Sequence, residues 1–140
     1  MRSVCTALVD SNVILDVLQR REPFSDDAAA LVAAAEQGRF RGLVAAHSVT
    51  TLFSLLSKHG GADQARVTTL ELLSVLDVAA VDGHVLAQAL ALPCRDLEGA
   101  VQMAAAREAG ADYVVTRDRA GYAAGPLPAL SPAELLALLH

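Results

Sequence analysis

Tryptophan is missing from this chain of 140 residues, and the other aromatics amount to three phenylalanines and two tyrosines. Platforms on which nucleic-acid bases could stack are therefore poorly supplied, with Tyr122 the one ring just beyond the acidic stretch near the C-terminus. Cysteine is equally scarce. Cys5 and Cys94 make no CxxC pair and no zinc spacing, which predicts two inert thiols in a reducing compartment. His47, His59, His84 and His140 make no HxxxH pattern. Lys58 is the only lysine, and the formal net charge of -5 argues against general electrostatic capture of nucleic acid. It does not exclude a nucleic-acid enzyme, because a carboxylate metal site itself lowers net charge. No apolar run reaches the roughly 18 residues of a membrane span, and Asp10 interrupts "SVCTALV", so a secretory leader is not expected. A cytoplasmic protein without membrane association follows as the expectation. Motif absences exclude further classes. No G-x-S-x-G supports a nucleophile beside His47 and Ser48, and no GxGxxG or GxxxxGK[ST] supports dinucleotide or P-loop binding. A DxD phosphatase start would need an acid where Asn12 stands, and a receiver domain would need acids before Asp10 and a late lysine.

What is present is alanine, leucine and alternation. The length fits one domain, residues 1–140, with a core large enough to need no staples. "TALVD", "RGLVAA", "DVAAV", "DYVVT" and "LPAL" read as short strands. Between them lie helical patterns: "NVILDVLQRR", an alanine-rich segment capped by Ser25 or Asp26 and stopped by Gly38, and "HSVTTLFSLLSKHGG". "ADQARVTTLELLSVL", a helix capped by Asp82, "DLEGAVQMAAAREAG" capped by Asp96, and "SPAELLALLH" opened by Ser131 and Pro132 complete the set. Strands alternating with helices predict a three-layer α/β/α domain around a mostly parallel five-stranded sheet. In such sheets ligands gather beyond the carboxyl ends of the strands.

That rule gives the acids a place. Asp10 follows "ALV" and Asp118 follows "YVVTR", so two apolar strands end in carboxylates on the same rim; Asp96 and Glu98 open the helix that leads into the second. Each acid alone reads as a helix cap or turn residue. Together they suit a hard cation, Mg²⁺ or Mn²⁺, which prefers carboxylate oxygens, relieves their repulsion and activates water against a phosphodiester. Asp16, further along the first helix, reads as a solvated residue. Arg95, Arg117 and Arg119 flank the acids and are the local cations available to RNA phosphates, with Arg117 the strongest of them. His47, Thr51, Ser54 and Lys58 form a polar helical stripe that ordinary amphipathicity explains.

The pieces "ALVDSNVILDVLQRREPFSDDAAALV", "GLVAAHSVTTLFSLLSK", "DLEGAVQMAAA" and "ADYVVTRDRAGYAAGPLPALSPAELL" resemble, in order and over nearly the whole chain, a PIN domain of the subgroup of VapC-like ribonuclease toxins. The resemblance implies a parallel five-stranded sheet and Mg²⁺- or Mn²⁺-dependent cleavage of RNA. It further implies a small antitoxin protein that blocks the cleft, and a homodimer. Asp10 matches the first acid and Asn12 its polar companion; Asp118 matches the last acid, with Thr116 the hydroxyl that positions it. Two positions depart from the pattern. Thr51 stands where many PIN domains have glutamate, and Gly99 where the subgroup has aspartate. Either Glu98, bending back along the first turn, or Asp96, if free of its cap, replaces the missing ligand; otherwise the domain binds RNA or a protein without cutting. A plain interaction module is the third reading.

Overall fold

The computed structural model describes residues 4–94 and 96–139, so Arg95 and His140 lie outside the described residues. Strands β1 (Thr6–Val9), β2 (Arg41–Ala45), β3 (Asp77–Ala79), β4 (Tyr113–Val115) and β5 (Ala129–Leu130) form one sheet in the order β3-β2-β1-β4-β5. Every neighbouring pair is parallel, with Leu8 opposite Leu43 on one side and Val114 on the other. Parallel neighbours need crossovers, and the helices supply them: α1 (Ser11–Leu18), α2 (Ser25–Glu36), α3 (Ala46–Gly60), α4 (Ala62–Val75), α5 (Gly83–Ala91), α6 (Leu97–Glu108), α7 (Arg119–Tyr122) and α8 (Pro132–Leu138).

Alternation along the strands divides the core in two. Ala7, Val9, Val44 and Val115 face one layer, packed against Val13 and Ile14 of α1, Leu31 of α2, Leu52 of α3, Leu72 of α4 and Leu135 of α8. Leu8, Leu43 and Val114 face the other, against Val85 and Ala89 of α5 and the alanines of α6. Each fully buried leucine or valine contributes about 1.5–3 kcal/mol. In α6, Gly99 through Ala106 are all buried, which explains the segment's weak periodicity: a helix enclosed on every side has no polar face to display. Its small side chains let the axis sit close on the sheet. The expected α/β architecture is therefore present.

Differences lie at the edges. Neither Ser25 nor Asp26 caps α2; Phe24 holds that position, Ser25 donates to Glu22 at 2.9 Å, and Asp26 and Asp27 fall in the first turn, where they favour the helix dipole. The short α7 has no sequence periodicity to announce it. Asp16 is the clear correction. It is fully buried, because the inner face of α1 turns it toward the loop after β4. Among the described residues no helix is long and apolar enough to cross a membrane. Both thiols are free and partly exposed; burial, then Asp112 for Cys5 and Asp96 for Cys94, pushes them above the ordinary thiol range.

Candidate functional site

Asp10 sits one residue beyond β1, where its backbone N–H still donates to Val115 of β4 and its side chain turns back to cap α1. It is 4 % exposed, and its carboxylate is enclosed by donors. Oδ1 accepts from the Asn12 backbone N–H at 3.1 Å, from Gln102 Nε2 at 3.3 Å and from Ser11 Oγ at 3.4 Å. Oδ2 accepts from Thr116 Oγ1 at 2.8 Å and from the Tyr122 hydroxyl at 3.2 Å. The same Thr116 hydroxyl accepts from the Asp118 backbone N–H at 3.0 Å, so one buried threonine at the end of β4 fixes the first acid and the segment carrying the last.

A cleft of about 220 Å³ opens in front of Asp10, lined by Asn12, Thr51, Asp96, Glu98, Gln102, Asp118 and Tyr122 among others, with no basic side chain among the described residues. The acids named from the sequence thus converge on one cavity, together with Asn12 and Thr51 from its polar set. Thr116 supports it from behind. Arg117 departs from its expected place. It donates to both oxygens of Asp16, at 2.6 and 3.2 Å, and its guanidinium lies 4.0 Å from the Phe24 ring centre. Arg119 pairs with Glu134 at 3.0 Å. Arg117 and Arg119 are thus anchored in ion pairs, and Arg117 serves the buried Asp16.

Glycine explains how the other acids are held. Asp96 caps α6 by accepting from the Gly99 N–H at 2.8 Å, and Asp118 caps α7 by accepting from the Gly121 N–H at 3.1 Å. A Cβ at position 121 would lie 2.3 Å from Asp118 Oδ2, so a side chain there would require that carboxylate to shift. At position 99 a Cβ would stand 3.4 Å from both Asp96 oxygens and 3.5 Å from the Tyr122 hydroxyl, which is ordinary contact. A side chain at 99 therefore has room, and it would enter the cleft.

Gln102 and Tyr122 are the site residues that sequence reasoning missed as such. Gln102 is the single polar side chain in the run from Gly99 to Ala106, a signal that could have been noticed. Tyr122 is 5 % exposed, and burial, then the Asp10 carboxylate, then Asp96 and Glu98, push its phenol far above the ordinary tyrosine range. It remains a protonated donor. The chemistry of the set fits a hard cation: Asp10, Asp96, Glu98 and Asp118 share one cleft, without a neutralising base among the described residues. Among the described residues no three acids, histidines or cysteines are gathered tightly enough to enclose an ion as they stand, since Asp96 and Asp118 are turned to their caps.

Comparison with known proteins agrees with this geometry. The family model described as PIN domain matches residues 6–120. No curated protein matches the chain. Solved structures do. FitAcB from Neisseria gonorrhoeae aligns with a TM-score of 0.68 at 18 % identity, covering 91 % of this chain and 98 % of that one. DNA-bound VapBC from Salmonella typhimurium gives 0.69 at 13 %, covering 92 % and 99 %. VapC20 from Mycobacterium tuberculosis, a sarcin-ricin loop cleaving toxin, gives 0.61 at 18 %, covering 77 % and 86 %. At such identities these likenesses speak for the fold. With the family match spanning both acid-bearing strands and the sheet order placing their carboxyl ends side by side, this chain belongs to the PIN domain family.

Proposed function

We propose that this protein is a ribonuclease of the toxin type, hydrolysing RNA phosphodiesters with bound Mg²⁺ or Mn²⁺ in the cytoplasm, restrained by a small antitoxin protein and paired as a homodimer. One observation carries the reading: Asp10, Asp96, Glu98 and Asp118 line a single cleft at the carboxyl ends of adjacent strands, with no base beside them among the described residues. Mutually repelling carboxylates are gathered at a cost that a divalent cation removes. Asp10 and Asp118 would hold that cation, with Glu98 or Asp96 as the third acid; when bound it supplies an activated water and neutralises charge on the phosphate. The chain's own residues do the positioning. Thr116 orients Asp10 and the backbone of Asp118, and Asn12 and Thr51 offer polar groups along the cleft wall. Arg117 and Arg119 are committed to Asp16 and Glu134, so among the described residues no arginine lines the cleft.

A second reading, a domain that binds RNA or a protein without cutting, is favoured by Gly99 and by the protein donors that already surround Asp10. One experiment separates the two. Purified protein is incubated with labelled RNA in Mn²⁺, Mg²⁺ or chelator, beside Asp10→Asn. Cleavage that requires metal and falls at least about a hundredfold in the variant supports the nuclease; a change of that size is ~2.7 kcal/mol of transition-state stabilisation. Retained RNA without product in either metal supports the binding reading. Cleavage undiminished in chelator and in Asp10→Asn removes the cation mechanism.

A further inference from the structure

Asp10 is satisfied by protein alone. An ionised carboxylate offers about four lone-pair positions, and Asn12, Gln102, Ser11, Thr116 and Tyr122 all donate to it. These donors fall into two sets. Asn12 and Ser11 belong to the turn that follows β1, and Thr116 supports the carboxylate from β4. Gln102 and Tyr122 reach it from α6 and α7 and line the cleft from which an ion must arrive, as Ser11 and Asn12 do from the turn after β1.

Gln102 and Tyr122 also hold each other. Gln102 Nε2 donates to the Tyr122 hydroxyl at 3.2 Å as well as to Asp10, while Gln102 Oε1 accepts from the Ser11 N–H at 3.3 Å. The phenol in turn donates to Asp10 Oδ2. Two neutral donors bonded to each other therefore close a ring on the carboxylate at the cleft wall, and Gln102 is 2 % exposed. A cation that took an Asp10 oxygen from the cleft would displace the phenol or the amide and leave a buried polar group without a partner, which is expensive.

From this geometry we propose that Tyr122 and Gln102 form a neutral clasp that holds Asp10 in the metal-free protein and competes with divalent cations for it. The clasp rests on the cation reading of the cleft. It sets the metal affinity low, so that occupancy follows the supply of free Mg²⁺ or Mn²⁺. Tyr122 and Gln102 are positioning residues here, acting through Asp10 and not on the substrate.

The test is a calorimetric Mn²⁺ titration of the full chain and of Tyr122→Phe, with thermal melting of both in chelator. The phenylalanine keeps the buried ring and removes the one donor. Tighter Mn²⁺ binding by about tenfold, equivalent to ~1.4 kcal/mol, together with a lower melting temperature in chelator, supports the clasp. Gln102→Glu is the second variant: it retains an acceptor for the Ser11 N–H, replaces the donor amide with an acid, and is expected to tighten Mn²⁺ binding as well. Wild-type binding of Mn²⁺ with no gain in either variant overturns the clasp and leaves the cation reading standing. An absence of Mn²⁺ binding in wild type and both variants overturns the cation reading and the clasp with it.

Discussion

At the scale of single residues the most telling position is Gly99. As the third residue of α6 it costs about 1 kcal/mol of helix stability relative to alanine, yet no positive φ requires it there. Its backbone N–H holds Asp96 on the helix end, and the space a side chain would fill faces Asp96 and the Tyr122 hydroxyl. Gly99→Asp therefore adds a carboxylate to the cleft without a steric clash at Cβ. Its Mn²⁺ affinity is expected to exceed that of the isosteric Gly99→Asn by about tenfold, or ~1.4 kcal/mol. Calorimetry on the two variants checks this; equal affinities mean that position 99 is not a vacant ligand position. The glycine itself was legible in the sequence as a departure. The direction of its missing side chain was not, because that depends on where α7 delivers Tyr122.

Between elements, the ion pair of Asp16 and Arg117 ties α1 to the segment joining β4 to α7. Asp16 is buried, Arg117 is about a third exposed, and Arg21 stands 4.0 Å away as a distant second partner. Breaking a buried pair costs about 3–5 kcal/mol because one charge is left without a partner; partial solvation of Arg117 reduces this. Arg117→Ala is expected to destabilise the protein by roughly 2–3 kcal/mol on the same scale, read as a lower midpoint in urea. Because Arg117 lies between Thr116 and Asp118, the variant is also expected to bind Mn²⁺ more weakly and to cleave RNA more slowly. A loss in urea near zero would make the pair a surface contact only. Sequence reasoning placed the helix and the strand but assigned Asp16 to solvent and Arg117 to RNA, since a loose helical pattern does not state which face of a short helix is covered.

Over the whole molecule, the enclosed phenol links stability to pH. An unfolded tyrosine ionises near pH 10. The folded Tyr122 does so at higher pH, because burial and the nearby carboxylates disfavour its anion. Above pH 10 the folded state thus binds more protons than the unfolded one, and this contribution, fully present below pH 10, is lost as pH rises toward the folded value. Between about pH 9 and about pH 11 the wild type should lose roughly 1.4 kcal/mol more than Tyr122→Phe, measured as the difference in urea unfolding free energy. Equal losses would place the phenol in solvent. The sequence by itself determined the class of the fold, because short apolar runs between amphipathic segments can be buried only as a parallel sheet covered on both faces. It also indicated that Asp10 and Asp118 would share a rim, since Asp10 directly follows one strand and Asp118 comes shortly after another. What holds those acids was decided only by the tertiary structure. Gln102, Thr116 and Tyr122 are far from Asp10 in the chain, and the hydrogen bonds they make to it exist only once β1, β4, α6 and α7 are packed together.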